Sequence, residues 1–356
     1  MKENNQIDIF KRDLDQIIEA LLEYNIINII LYGGYGRNEG SIIISQNGDY
    51  KPYNDFDILL IVNSKIEIQK LKEKSISLAK SIGVSWVDIS QMTLNDLKLL
   101  KPSIYNYDLK YASKVIYGDN SVLEFIPEMQ SINLPLKEVE TLFLTRIWTL
   151  VGCLDNKGLL IDRSGDDVRF FRNQMAKSVL AIVDILLINL GEYNFSYKVR
   201  VQLIKKHYSW RPELISLSEW ALDEKLFPKS LFMSKEEISD LYNQVIRLFF
   251  KEMFSSLSLY YKRQINKPED VEYCLKWYWL NLVKRCGSYV LYRDSRRERQ
   301  INIHLAQIYI AYSHISNNPQ YLDKSNLIIQ KLEQRECEQY TWDEARCRIA
   351  KIRLEN

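Results

Sequence analysis

Two aspartates with one residue between them, Asp55 and Asp57, stand at the start of the apolar run Phe56-Asp57-Ile58-Leu59-Leu60-Ile61-Val62. Along a strand successive side chains point to opposite faces, so both carboxylates share one face and Phe56 packs on the other. Left alone the pair repels itself, and a divalent cation is the partner that would relieve it. Upstream, Gly33-Gly34-Tyr35-Gly36-Arg37-Asn38-Glu39-Gly40 follows directly on the apolar run Ile26–Tyr32. A glycine turn leaving a buried strand for a helix start aims backbone N–H groups outward, and the helix dipole there favours anions. It is no dinucleotide fingerprint, since Glu39 stands where a third glycine would be needed, and it lacks the Gly-Lys-Ser/Thr of a phosphate-binding Walker loop. Downstream, Val84-Ser85-Trp86-Val87-Asp88-Ile89 offers a third carboxylate, Asp88. On a neighbouring strand it reaches the same sheet edge, and three such carboxylates can hold Mg²⁺ ions that bridge phosphates. Taken singly, a glycine turn is often structural and a D-x-D often a solvated strand entrance. Their order along the chain favours a site.

The elements that must position these residues alternate between helix and strand. Apolar residues at helical spacing from Ile7 to Leu22 predict an amphipathic helix. Ile26–Tyr32 reads as a buried strand, Asp55–Val62 as a second, Lys65–Ile82 as a helix and Val84–Ile89 as a third strand. Asn47-Gly48, between Ile42-Ile43-Ile44 and Tyr50–Tyr53, predicts a two-stranded flap. After Leu134 helical windows follow one another to the C-terminus. The expected architecture is an α+β domain over residues 1–134, a mixed sheet with flanking helices, followed by an all-α helical bundle over 135–356. The charged stretch Asp294–Gln300 marks a candidate subdivision of the bundle near 294–300.

With 356 residues the chain has length for two domains, and its net charge of +2 names no partner. Five scattered cysteines without metal-site spacing read as reduced thiols. The polar stretch Lys2–Asp15 lacks the core of a signal peptide, and the apolar run 178–190 is interrupted by Asp184 and short for a bilayer. The expectation is a cytoplasmic protein with no membrane partner.

The Gly33-Gly34 pair, the gap, Asp55-Phe56-Asp57 with its apolar strand and the later Asp88 resemble the DNA polymerase β-like nucleotidyltransferase superfamily. The resemblance covers Ile26–Ile89 and extends more weakly through Tyr107-Asp108-Leu109-Lys110 and Val115–Asp119. Gly33–Glu39 looks like the corresponding turn of signal-protein uridylyltransferases, and the helical remainder is similar in kind to that of aminoglycoside nucleotidyltransferases. Two departures stand out: Gly33-Gly34 replaces the Gly-Ser of many members, and the gap from Gly34 to Asp55 is longer than usual by about the flap.

The resemblance implies Mg²⁺-dependent transfer of a nucleoside monophosphate from an NTP, ATP being the expected one, to an acceptor hydroxyl of small-molecule or glycan type. Pyrophosphate would leave. Asp55, Asp57 and Asp88 would be catalytic and hold one or two metal ions, with Asp88 a ligand or the general base. Gly33, Gly34, Gly36, Arg37, Asn38 and Glu39 would contact the nucleotide. Alternatives are a protein or tRNA acceptor in a regulatory or toxin-type system, and a non-catalytic interaction protein that keeps the fold. Arg169, Arg172 and Lys177 are weaker phosphate candidates. The stretch Lys284 to Arg299 would suit nucleic acid, but Asp294 and Glu298 dilute it and solvated surface is the preferred reading. His207, His304 and His314 have no metal spacing.

Overall fold

The computed structural model describes residues 6–44, 47–53, 55–286, 290–335 and 339–355, without the side chains of 278–296. It is a mixed α/β fold, helical for most of its length, and its contacts divide it into two compact units. The first joins Met1–Glu138 to Leu187–Lys229, and the second joins Val139–Leu186 to Ser230–Asn356. The chain therefore does not divide by a single cut near residue 134.

The first unit is built on a four-stranded sheet, ordered β5-β4-β1-β6, of β1 (Ile26–Tyr32), β4 (Phe56–Val62), β5 (Val87–Met92) and β6 (Lys114–Tyr117). β1 runs antiparallel to β4 and β6, while β4 and β5 are parallel, joined by the crossover helix Ile68–Ile82. Alternation sorts the strands' side chains into two layers. Ile29, Leu31, Phe56, Ile58, Leu60 and Val87 pack with Leu14, Ile17 and Leu21 of helix Lys11–Leu21 and with Leu71 and Leu78 of the crossover helix. Ile30, Leu59 and Ile61 pack on the opposite side with Leu97 and Leu109. A fully buried Ile or Leu stabilises by roughly 1.5–3 kcal/mol, so these two layers fix the register of every strand that carries a candidate carboxylate.

The opening helix breaks at Phe10, whose backbone leaves helical geometry while its ring packs edge-on against Tyr35 and Phe56. β5 begins three residues later than expected. Gly83, at φ +80°, ends the crossover helix, and Val84 N–H donates to Ala79 C=O at 3.1 Å, so Val84 belongs to the helix cap. β2 (Ile42–Ile44) and β3 (Tyr50–Pro52) pair antiparallel as the Asn47-Gly48 signal predicts; Ser45, Gln46 and Asn54 lie outside the described residues.

In the second unit the long helices are Gly165–Leu190, which extends into the first unit's segment, Lys235–Tyr261, Pro268–Cys286 and Val290–Ser316. It is not purely helical: Arg163–Ser164 pairs with Phe232–Met233 in a short ladder. The stretch 294–300, a candidate subdivision of the bundle, lies inside the helix Val290–Ser316, and Arg299 there donates to Leu332 C=O at 3.0 Å. Buried Arg346 donates to the carbonyls of Val151, Leu154 and Asp155, which would otherwise be unpaired beyond the helix Lys137–Val151. Gly165–Leu190 has the length and composition to cross a membrane, but 78% of its most apolar window is buried within the protein, the mark of a core helix.

Candidate active site

β1 delivers Tyr32 to a single helical turn, Gly33–Gly36. Gly33 sits at φ +64°, and a Cβ built there would lie 1.9 Å from Asp57 Oδ2, so the backbone comes this close to the carboxylate only because the residue is glycine. The next strand over supplies Asp57, whose cross-strand partners are Tyr32 on β1 and Asp88 on β5. Asp55 stands just before β4 and is exposed; Phe56 N–H donates to Trp86 C=O at 3.3 Å and anchors the start of the β4–β5 pairing. Phe56, fully buried against the Tyr35 ring at 4.7 Å, turns its neighbours' carboxylates to the other face.

Negative charge is crowded at this point. Burial pushes the Asp57 carboxyl up to about 7, and Asp55 and then Asp88 push it further, against the pull of Arg37 and Lys225. Asp88 is raised by burial and by Asp55. Tyr32 and Tyr105, edge to face at 5.5 Å, border the same carboxylates, and burial first, then neighbouring charge, raises both phenols.

Arg37, Asn38 and Glu39, expected to face phosphates, are occupied within the first unit instead. Arg37 pairs with Asp108 at 2.6 Å, donates to Phe195 C=O at 3.2 Å and lies over the Tyr197 ring. Asn38 takes the left-handed conformation at φ +63° and accepts from Gln6 N–H at 2.6 Å. Glu39 is buried at the start of helix Tyr197–His207, where it accepts from Ser196 Oγ at 2.7 Å, Tyr197 N–H at 2.7 Å and Lys198 N–H at 3.2 Å. A carboxylate at a helix N-terminus satisfies donors that have no partner inside the helix. These three residues hold the turn rather than line it. Gly36 does likewise by close approach to the carbonyls of Leu31 and Ala112, and Gly34 packs near Gly40.

Sequence reasoning missed the partners of the turn. Gln6 brackets it, exchanging hydrogen bonds with Gly40 at 2.8 and 2.9 Å. Lys225, buried, donates to Ser41 Oγ at 3.1 Å and draws on Asp57 through charge. Arg200, buried, donates to Tyr193 Oη at 2.7 Å and lies 3.6 Å from Asp108. Asp108 fell within the weaker part of the resemblance; nothing in local spacing marks Gln6, Arg200 or Lys225.

Asp55, Asp57 and Asp88 accept no hydrogen bond and form no ion pair among the described residues. Their oxygens are the hard donors that Mg²⁺ prefers. Among the described residues no three His, Cys, Asp or Glu form a ready metal group. That geometry still fits Mg²⁺, which one or two carboxylates and the substrate's phosphates commonly hold together. Arg169 and Arg172 belong to the second unit, the first paired with Asp166 and the second 4.0 Å from Met233 Sδ. Lys177 lies on the same helix. Of the basic stretch, the side chains of Lys284, Arg285, Arg293 and Arg296 lie outside the described residues. His207 meets Glu192 at 2.7 Å and His314 meets Asn243 at 3.0 Å, both structural contacts.

No family model matches the chain, and no curated protein matches it.

Proposed function

We propose that the protein is a cytoplasmic, Mg²⁺-dependent nucleotidyltransferase that moves a nucleoside monophosphate from an NTP, ATP first, to an acceptor hydroxyl. The observation that carries this reading is the seating of the Asp57 carboxylate against Gly33, with Asp88 its cross-strand neighbour and Asp55 two residues before it. Gly33 and Gly34 open a helical turn, so their N–H groups have no acceptor inside it and are suited to phosphate oxygens. Asp55 and Asp57 would hold Mg²⁺, and the metal when bound supplies positive charge to the phosphates and to the leaving pyrophosphate. That charge would also offset the crowding that otherwise keeps a proton on Asp57. Asp88 is exposed, and its raised proton affinity suits it to accept the hydrogen of the attacking hydroxyl. The acceptor oxygen bonds the α-phosphorus as the bond to the bridging oxygen breaks, and pyrophosphate carries off the electron pair. Arg37 acts from beneath the turn through charge on Asp57 and through its pairing with Asp108, not as a phosphate ligand.

A small-molecule or glycan-type hydroxyl is the acceptor this reading proposes first. A protein acceptor is the second, favoured by the open edge of β5. The test is incubation with each α-labelled NTP, Mg²⁺ and a cell extract, followed by separation of small molecules, protein and RNA. Label should move into one fraction, and Asp55→Asn and Asp57→Asn should each lower it by about two orders of magnitude. Undiminished labelling by both variants would refute the assignment.

A further inference from the structure

β5 closes one edge of the sheet, paired to β4 alone. Pairing opens with Phe56 N–H on Trp86 C=O. N–H and C=O of one residue point to the same side and alternate along a strand, so Asp88 and Ser90 bond β4 while Val87, Ile89 and Gln91 aim outward. Ser75 Oγ donates to Val87 C=O, which leaves Ile89 and Gln91 as the open part of the edge. A cavity of about 470 Å³ follows that edge, lined by Trp86 and residues 88–91 on the strand side and by Ile68, Leu71 and Lys72 on the helix side. It takes in successive strand residues, facing both sides of the sheet. A small molecule would not pair the outward amides, whereas an extended chain would.

Three charged residues line the cavity, Lys65, Lys72 and Asp88, and the lysines outnumber the carboxylate. Lys72 forms no ion pair among the described residues, and Lys65, also in the lining, has only Asp96 at 3.9 Å, both of them solvated. Ile68 and Trp86 remain 79% and 39% exposed beside them. We propose that the free edge of β5 docks an extended peptide segment with acidic side chains, added as a further strand. Its acidic residues meet Lys72 on the helix side, and the alternate, apolar ones cover Trp86 on the face of Asp88. Alternate residues of such a strand fall on the face of Asp57 and Asp88, where a serine, threonine or tyrosine among them would present an acceptor hydroxyl; that consequence rests on the transfer reading, and the docking itself does not.

The test uses the full chain without nucleotide, so its failure is distinct from failure of the transfer reading. Fluorescence anisotropy is followed with two labelled peptides of about eight residues, one alternating valine with glutamate and one alternating valine with lysine. The glutamate peptide should bind, slow amide exchange at Ile89 and Gln91, and weaken by about tenfold in the Lys65→Glu/Lys72→Glu protein, which should gain the lysine peptide. Ile89→Pro removes an outward N–H and should abolish binding; where circular dichroism finds that variant unfolded, the charge reversal decides. Equal affinity for both peptides, indifference to the charge reversal, or protection away from β5 would overturn the proposal. So would amide protection at Ile89 that grows with protein concentration alone, since the edge would then be taken by a second copy.

Discussion

Asp57 bears most of the strain in the site, because burial and two neighbouring carboxylates all oppose its charge. Between pH 3.8 and about 7 the folded chain holds a proton on Asp57 that the unfolded chain has released, so stability falls as pH rises through that window. The full cost, present above about 7, is at most about 4 kcal/mol. An amide in place of this carboxyl cannot ionise. The metal-free Asp57→Asn protein should therefore unfold at higher urea than wild type at pH 8, with the difference vanishing near pH 4. Equal midpoints at pH 8 would remove the crowding that motivates a metal. Asp88→Asn separates two roles: loss of turnover with an altered pH profile and unchanged Mg²⁺ affinity marks a base, and weakened Mg²⁺ affinity marks a ligand.

Among the elements, the glycine turn and the helix Tyr197–His207 depend on each other through Glu39. Glu39→Ala leaves Ser196 Oγ and two backbone donors without their acceptor and should cost about 2–3 kcal/mol in thermal unfolding. Should Glu39 instead be a nucleotide ligand, the variant would lose nucleotide affinity and keep its stability. What could be read from the sequence follows from how far each signal reaches. β1 was legible residue for residue, and β4 and the Asp55/Asp57 pair nearly so, because strand alternation and a glycine stop are local patterns. Val84 misled because a helix cap and a strand start draw on the same apolar residue types. Arg37, Asn38 and Glu39 misled because their partners, Asp108, Gln6 and the start of the 197–207 helix, are distant in sequence.

For the whole molecule, the segment 187–229 folds with the sheet although it reads, like its neighbours, as one more helical stretch. A fragment ending at residue 134 would strip Glu39, Arg37 and Ser41 of Tyr197, Phe195 and Lys225, leaving buried polar groups unpaired. It should lack the near-ultraviolet circular dichroism of a packed protein, and a cooperative unfolding transition in that fragment would contradict the division into units. In the second unit, burial and then Arg353 push His304 down to about 4. The unfolded chain then binds a proton that the folded chain refuses, so stability is intact above pH 6.5 and declines as pH falls to about 4, by about 3 kcal/mol at most. His304→Gln should flatten that part of the pH dependence of the urea midpoint. The central claim, a nucleotide site made by Asp55, Asp57 and the Gly33 turn, is tested most directly by calorimetric titration of ATP into the protein with Mg²⁺ and with excess chelator. Binding should be lost in chelator and in the Asp57→Asn protein with Mg²⁺ present; equal affinity in all three conditions would contradict it.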